Sequence, residues 1–179
     1  MKGIVFTEFI EMVEDKFGFE IADHIISKSE LPSGGAYTAV GTYDFDEMLQ
    51  LVTNLSQETS LEVPKLLNVF GNHLFERFYK IYPHFFEGNH STFDFLSNIE
   101  NYIHVEVLKL YPDAQLPTID ARMINTNTME LIYLSKRKMS DLANGLINGC
   151  INHFKENIEV KVKQIKKDGS EVLFTLIKK

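Results

Sequence analysis

Cysteine, long apolar segments and an excess of basic charge are scarce or missing in this chain of 179 residues. The single cysteine, Cys150, excludes an intrachain disulfide and a zinc site built from several cysteines, and it is typical of a reducing compartment. The chain contains no run of about 18 apolar residues, so no transmembrane helix is predicted. The formal net charge is −7, whereas nucleic-acid-binding domains usually carry a basic stripe. We therefore expect a cytoplasmic protein with no membrane or nucleic-acid partner.

The length of the chain fits one domain that spans residues 1–179 and is large enough to bury a sizeable core. No repeat, low-complexity segment or linker divides it. The first residues enter an amphipathic, acidic sequence directly, so we expect no signal peptide.

The first two thirds of the chain have helical periodicity. Apolar residues at three- and four-residue steps predict a first helix over 5–17 that ends near Gly18. Further helices are predicted over about 20–29, over a segment capped by Asp44 or Asp46, over 63–78 with an extension to Tyr82, and over 92–111.

After Pro112 the periodicity changes to that of strands. Strands are predicted over 121–125 and 128–135, a helix over 140–154, and a hairpin of 158–163 and 172–177 around the turn at Asp168-Gly169. The expected fold class is α+β, with a helical N-terminal part and a C-terminal antiparallel sheet that carries its own helix.

One spaced set of residues near the middle of the chain has chemistry that suits heme. His104 lies on an apolar helix, Pro117 follows thirteen residues later, and then come Tyr133, Ser135 and Arg137. On one strand the last three would share a face, because side chains alternate between the faces of a sheet. A phenol, a hydroxyl and a guanidinium suit the two carboxylates of a heme, and a helical imidazole can be the fifth ligand of its iron.

This order of residues, together with the start Met1-Lys2-Gly3, resembles the heme nitric oxide/oxygen binding (H-NOX) family over nearly the whole chain. The resemblance implies the H-NOX fold around an enclosed heme, with His104 as the proximal ligand of the iron. It also implies that Pro117 presses on the porphyrin, and that the Tyr133-x-Ser135-x-Arg137 row binds the propionates. Because the chain has no Cys-x-x-Cys-His motif, we expect heme b held without a covalent bond.

The gas-facing side of the site is expected to be apolar. In oxygen-binding members of the family a tyrosine on the helix after the motif donates a hydrogen bond to dioxygen, and Leu142 stands at that position here. Val5, Phe9 and Leu74 occupy other expected distal positions and are also apolar. Nitric oxide depends far less on such a bond, so the resemblance implies a nitric oxide sensor, with carbon monoxide as a further ligand.

The expected output is the regulation of a separate protein, since 179 residues leave little room for an effector domain beside the sensor. By resemblance to stand-alone bacterial members, the partner is a histidine kinase or a cyclic-di-GMP enzyme. Nitric oxide would weaken the bond between iron and His104, and the resulting conformational change would alter the surface that the partner binds.

Several alternatives stay open from the sequence. His73 is a rival ligand, Ser140 or Tyr43 could reach the gas pocket, and Arg137 could pair with a surface carboxylate instead. The chain could also be an oxygen-binding or redox heme protein, a heme enzyme, or a carrier of an apolar ligand in which His104 binds nothing. We expect no enzymatic activity, because no histidine or arginine stands at the expected distal positions to cleave peroxide.

Overall fold

The computed structural model describes all 179 residues and has an α+β architecture, as predicted. Four helices form the N-terminal part: α1 (Gly3–Phe17), α2 (Phe19–Lys28), α3 (Phe45–Thr59) and α4 (Val63–Ile81). A 3₁₀ turn follows at Pro83–Phe86. No helix is both long enough and apolar enough to cross a membrane.

Local signals in the sequence set the ends of these helices. Gly18 adopts a positive φ of 95° after α1, where a residue with a Cβ would be strained. Asp44, and not Asp46, caps α3, since its carboxylate accepts a hydrogen bond from the backbone N–H of Asp46 at 3.1 Å. The four predicted helices are therefore present with ends shifted by only a few residues.

The predicted single helix over 92–111 is wrong. The segment consists of α5 (Thr92–Ser97), a π-helical turn (Ile99–Ile103) and α6 (His104–Leu110). The backbone N–H of Ile103 bonds the carbonyl of Asn98 at 3.1 Å, five residues back, which widens the turn by one residue. Such π-turns occur frequently at functional sites, and here the turn ends directly before His104.

The C-terminal part is a four-stranded antiparallel sheet in the order β1-β2-β4-β3. Its elements are β1 (Thr118–Asn125), β2 (Thr128–Leu134), α7 (Ser140–Phe154), β3 (Ile158–Gln164) and β4 (Glu171–Lys178). The first strand begins three residues earlier than predicted, because Thr118 already pairs with Leu134. The last two strands form the predicted hairpin.

Helices α4 and α7 join the two parts through a close backbone contact. A Cβ atom added to Gly71 would lie 2.3 Å from the carbonyl oxygen of Leu142, and one added to Gly145 would lie 2.2 Å from that of Asn68. Only glycine permits this approach. Two hydrophobic cores flank the contact, one mainly among the N-terminal helices and one between the sheet, α7, α5 and the 3₁₀ turn.

Candidate functional site

A cavity of about 320 Å³ lies where the helical part meets the sheet. This volume is within the range of small-molecule sites, roughly 300–1,000 Å³. Of its 33 lining residues 27 are hydrophobic. The six others are Lys2, His104, Gln115, Pro117, Ser135 and Arg137. Four of the residues singled out in the sequence therefore account for most of the lining that is not hydrophobic.

His104 is the first residue of α6, and its ring lies at the cavity wall with 15% of the side chain exposed. Its Nδ1 atom lies 3.1 Å from the Glu100 carboxylate, whereas Nε2 makes no hydrogen bond to the protein. Burial lowers the pKa of His104, and the nearby Glu100 opposes this shift only in part. The ring is therefore held neutral, which is the form that binds a metal.

The predicted strand over 128–135 ends at Leu134, so the idea of one polar strand face that continues to Arg137 is wrong. Ser135 and Arg137 lie in a turn, in which the Ser135 hydroxyl accepts a hydrogen bond from the Arg137 backbone N–H at 3.2 Å. Lys138 adopts a left-handed φ of 56° and reverses the chain toward α7. Tyr133, Ser135 and Arg137 nevertheless all line the cavity.

Two members of this group are held by specific partners. Tyr133 is buried, and its hydroxyl accepts a hydrogen bond from the backbone N–H of Met139 at 3.1 Å. Burial raises the pKa of the Tyr133 phenol, which stays protonated at neutral pH. The Arg137 guanidinium donates to the backbone oxygen of Gln115 at 2.6 Å and to its side-chain oxygen at 3.2 Å. Arg137 also lines a polar pocket beside the cavity, so its cationic end lies at the boundary between the two.

Pro117 lines the cavity immediately before β1 begins. Val5 on α1, Leu74 on α4 and Leu142 on α7 also contribute to the lining. Phe9, which the sequence placed in the same distal set, does not line the cavity. Its ring is fully buried in the N-terminal core and packs edge-on against Phe70, with the ring centroids 5.1 Å apart.

The alternative residues lie outside the cavity. His73 has its Nε2 atom 3.7 Å from the Glu8 carboxylate, and neither residue contributes to the lining. Ser140 and Tyr43 are likewise absent from the lining. The Tyr43 hydroxyl instead accepts a hydrogen bond from the backbone N–H of Thr38 at 2.8 Å.

Several cavity contacts were not predicted from the sequence. Gln115 positions Arg137, Glu100 contacts His104, and the hydroxyls of Tyr82 and Tyr111 bond each other at 2.8 Å in the lining. Only Glu100 had a detectable signal, since residues four apart on a helix face each other. The other contacts join segments that are far apart in the chain.

The residues present fit a heme. An apolar cavity suits the faces of a porphyrin, a neutral imidazole at the wall can ligate iron, and a guanidinium at the mouth suits a carboxylate. Helix α6 supports this, since two of its apolar residues, Val107 and Leu110, line the cavity and neither is buried. The fold and the site together define a domain with a largely apolar cavity that is lined by one histidine and one arginine.

Comparison with known proteins identifies the family. The family model for Haem-NO-binding domains matches residues 2–162, and the chain belongs to this H-NOX family of heme-binding gas sensors. The chain is 45% identical to the Fe(II) unliganded H-NOX protein from K. algicida, with a TM-score of 0.95 and coverage of 100% of this chain and 97% of that one. No match was found among curated protein sequences.

Two more solved structures agree with this assignment. The H-NOX from Shewanella woodyi, bound to IWP-051 in the Fe(II)CO state, is 39% identical with a TM-score of 0.85, and the match covers 100% of this chain and 95% of that one. A mutant of the T. tengcongensis H-NOX is 26% identical with a TM-score of 0.89, covering 100% and 98%. Domains of this family bind heme and gases such as nitric oxide and carbon monoxide, and they are generally sensors.

Proposed function

We propose that residues 1–179 form a single domain that holds ferrous heme b without a covalent bond and senses nitric oxide for a separate signalling protein. The observation that carries this proposal is the composition of the cavity. Its one histidine, its one arginine and a proline directly before a strand stand in a lining in which 27 of 33 residues are hydrophobic. We infer no enzymatic activity for the domain.

In this proposal His104 offers Nε2 to the iron, because Nδ1 is already engaged by Glu100. Arg137 and Ser135 bind the propionates together with Tyr133, whose buried hydroxyl also anchors the turn through Met139. Pro117 presses on the porphyrin, and the start of β1 immediately after it limits how far the proline can yield.

The preference for nitric oxide rests on the apolar wall formed by Val5, Leu74 and Leu142. None of these side chains can donate a hydrogen bond to the partial negative charge of dioxygen. Nitric oxide and carbon monoxide need this bond much less. The wall therefore lowers the affinity for oxygen while it leaves the other gases able to bind.

Bound heme would supply an iron atom that binds nitric oxide. The bond between this iron and His104 would be weaker in the nitric oxide complex. The chain can transmit such a change because Val5 lies in the cavity wall and belongs to α1. Helix α1 is in turn joined to α4 by the Glu8 carboxylate, which contacts Arg77 at 2.5 Å. We propose that a shift of α1 is read by a histidine kinase or a cyclic-di-GMP enzyme in the cytoplasm.

Replacing the proposed ligand tests this function. His104→Gly should lose heme during expression and should regain it when free imidazole is supplied, since imidazole can occupy the space that the ring leaves. His73→Gly is the matched control, because His73 lies outside the cavity, and it should keep heme without imidazole. Absorbance at the heme band and the ferrous spectrum report both results.

Two outcomes would contradict the proposal. A normal histidine-ligated spectrum of His104→Gly without imidazole would show that another residue ligates the iron. A colourless parent protein from heme-sufficient cells would instead favour a carrier of another apolar ligand.

A further inference from the structure

The Glu100 carboxylate joins two segments of the cavity wall through one oxygen atom. Its Oε2 atom lies 3.1 Å from Nδ1 of His104 and accepts a hydrogen bond from the backbone N–H of Ile119 at 2.9 Å. Glu100 belongs to the π-helical turn before α6, and Ile119 stands two residues after Pro117. One oxygen therefore contacts both the candidate ligand and the strand that follows the candidate heme-pressing proline.

This contact fixes which ring nitrogen of His104 is available. An ionised carboxylate can only accept hydrogen bonds, so the contact is a hydrogen bond only if Nδ1 carries the proton. In the neutral ring Nε2 then keeps its lone pair, and this atom makes no hydrogen bond within the protein. Carboxylates that bind a ligand histidine in this way orient the ring and raise its basicity toward the metal.

The Ile119 bond restrains the carboxylate as well. The Glu100 side chain is 43% exposed, so ordering it costs conformational entropy. If it contacted His104 alone, this cost would weaken the contact. With Oε2 held by a backbone N–H of β1, the carboxylate is kept within reach of the ring. The π-turn contributes too, because its extra residue helps set where Glu100 lies relative to His104.

We propose that Glu100 is a positioning residue that strengthens the bond between His104 and the heme iron and so limits the release of His104 when nitric oxide binds. This inference rests on the proposed function, since it needs His104 to be the ligand. The hydrogen bond gives the ring partial imidazolate character, which favours the bond to iron. Without Glu100 the histidine should leave more readily.

Glu100→Gln and Glu100→Ala test the proposal in the intact heme protein. Gln keeps the shape but removes the charge, whereas Ala removes the whole contact. Glu106→Gln is the matched control, because it makes the same change in net charge as Glu100→Gln. Glu106 lies on α6 and pairs with the surface residue Lys109. The iron–histidine stretching frequency of the ferrous protein and the ratio of five- to six-coordinate nitric oxide complex are the readouts.

Both Glu100 variants should lower the stretching frequency, and Ala should lower it more than Gln. The equilibrium should shift toward released histidine by about tenfold, at the low end of the roughly 10–100-fold effects of such partners because the carboxylate is partly exposed. Glu106→Gln should match the parent. Fluorescence or circular dichroism confirms folding, and Glu100→Gln decides the matter if Glu100→Ala does not fold.

The two proposals fail in different ways. If the parent shows no histidine-ligated ferrous heme, the proposed function fails. If the parent shows it but both Glu100 variants keep the parent's frequency and coordination ratio, Glu100 has no positioning role and the inference is overturned.

Discussion

Introducing a hydrogen-bond donor at Leu142 is the sharpest test of gas selectivity. Leu142 is the third residue of α7, and its side chain lines the cavity together with Val5 and Leu74. A tyrosine at this position would bring a hydroxyl to a wall that has no donor. Leu142→Tyr should therefore increase the affinity for oxygen.

The size of the effect follows from the hydrogen bond gained. A hydrogen bond to a charged group contributes about 1.5–3 kcal/mol, and each 1.4 kcal/mol is about tenfold in affinity. Bound dioxygen carries only partial charge, so we expect roughly a tenfold gain. The larger ring also adds volume, and overpacking costs about 1–3 kcal/mol in a filled core. Leu142 is half-buried beside a cavity, which reduces that cost.

Leu142→Phe separates the two contributions, since it adds the ring without the hydroxyl. Oxygen binding to the ferrous proteins is measured from their spectra over a range of oxygen pressure, and carbon monoxide binding serves as a reference. The expected result is tighter oxygen binding in Leu142→Tyr than in Leu142→Phe, with similar carbon monoxide binding. Equal oxygen affinities in the two variants would refute the hydrogen-bond reasoning. A stable oxygen-bound spectrum of the unmodified protein in air would overturn nitric oxide selectivity itself.

Two further predictions concern retention of the heme and stability of the fold. Arg137→Ala should speed the loss of heme to a scavenger protein by about tenfold, because a charged donor contributes about 1.5–3 kcal/mol and Arg137 lies at the cavity mouth. The melting temperature should change little, and Arg122→Ala, which removes an exposed arginine outside both pockets, should lose heme at the parent's rate. Gly145→Ala should lower the free energy of unfolding by about 1–2 kcal/mol, measured as a lower urea midpoint, since the overlap with the Asn68 carbonyl outweighs the higher helix propensity of alanine. An unchanged midpoint would show that α4 and α7 can separate without cost.

The fold class and most elements were predictable because their signals are local. The apolar spacing along α1 and α7, the Asp44 cap and the Asp168-Gly169 turn each lie within a few residues of the structure that they specify. The π-turn was not predictable, since one added residue in a turn leaves the apolar spacing of 92–111 nearly unchanged. Phe9 was misplaced for a related reason. Helical periodicity shows that a residue is buried, but it does not show whether the residue faces a core or a cavity.

The sequence alone determined which residue types are available for a heme site and their order along the chain, from His104 and Pro117 to Arg137. The sequence also carried the family resemblance, since a motif of spaced residues can be read from their order along the chain without knowledge of the packing. Only the tertiary structure decided which side chains meet. The Glu100 contact with Ile119 and the Arg137 contact with Gln115 span 19 and 22 residues. Contacts over such separations depend on how α6, β1 and the turn after β2 pack together, and no local pattern in the sequence records that geometry.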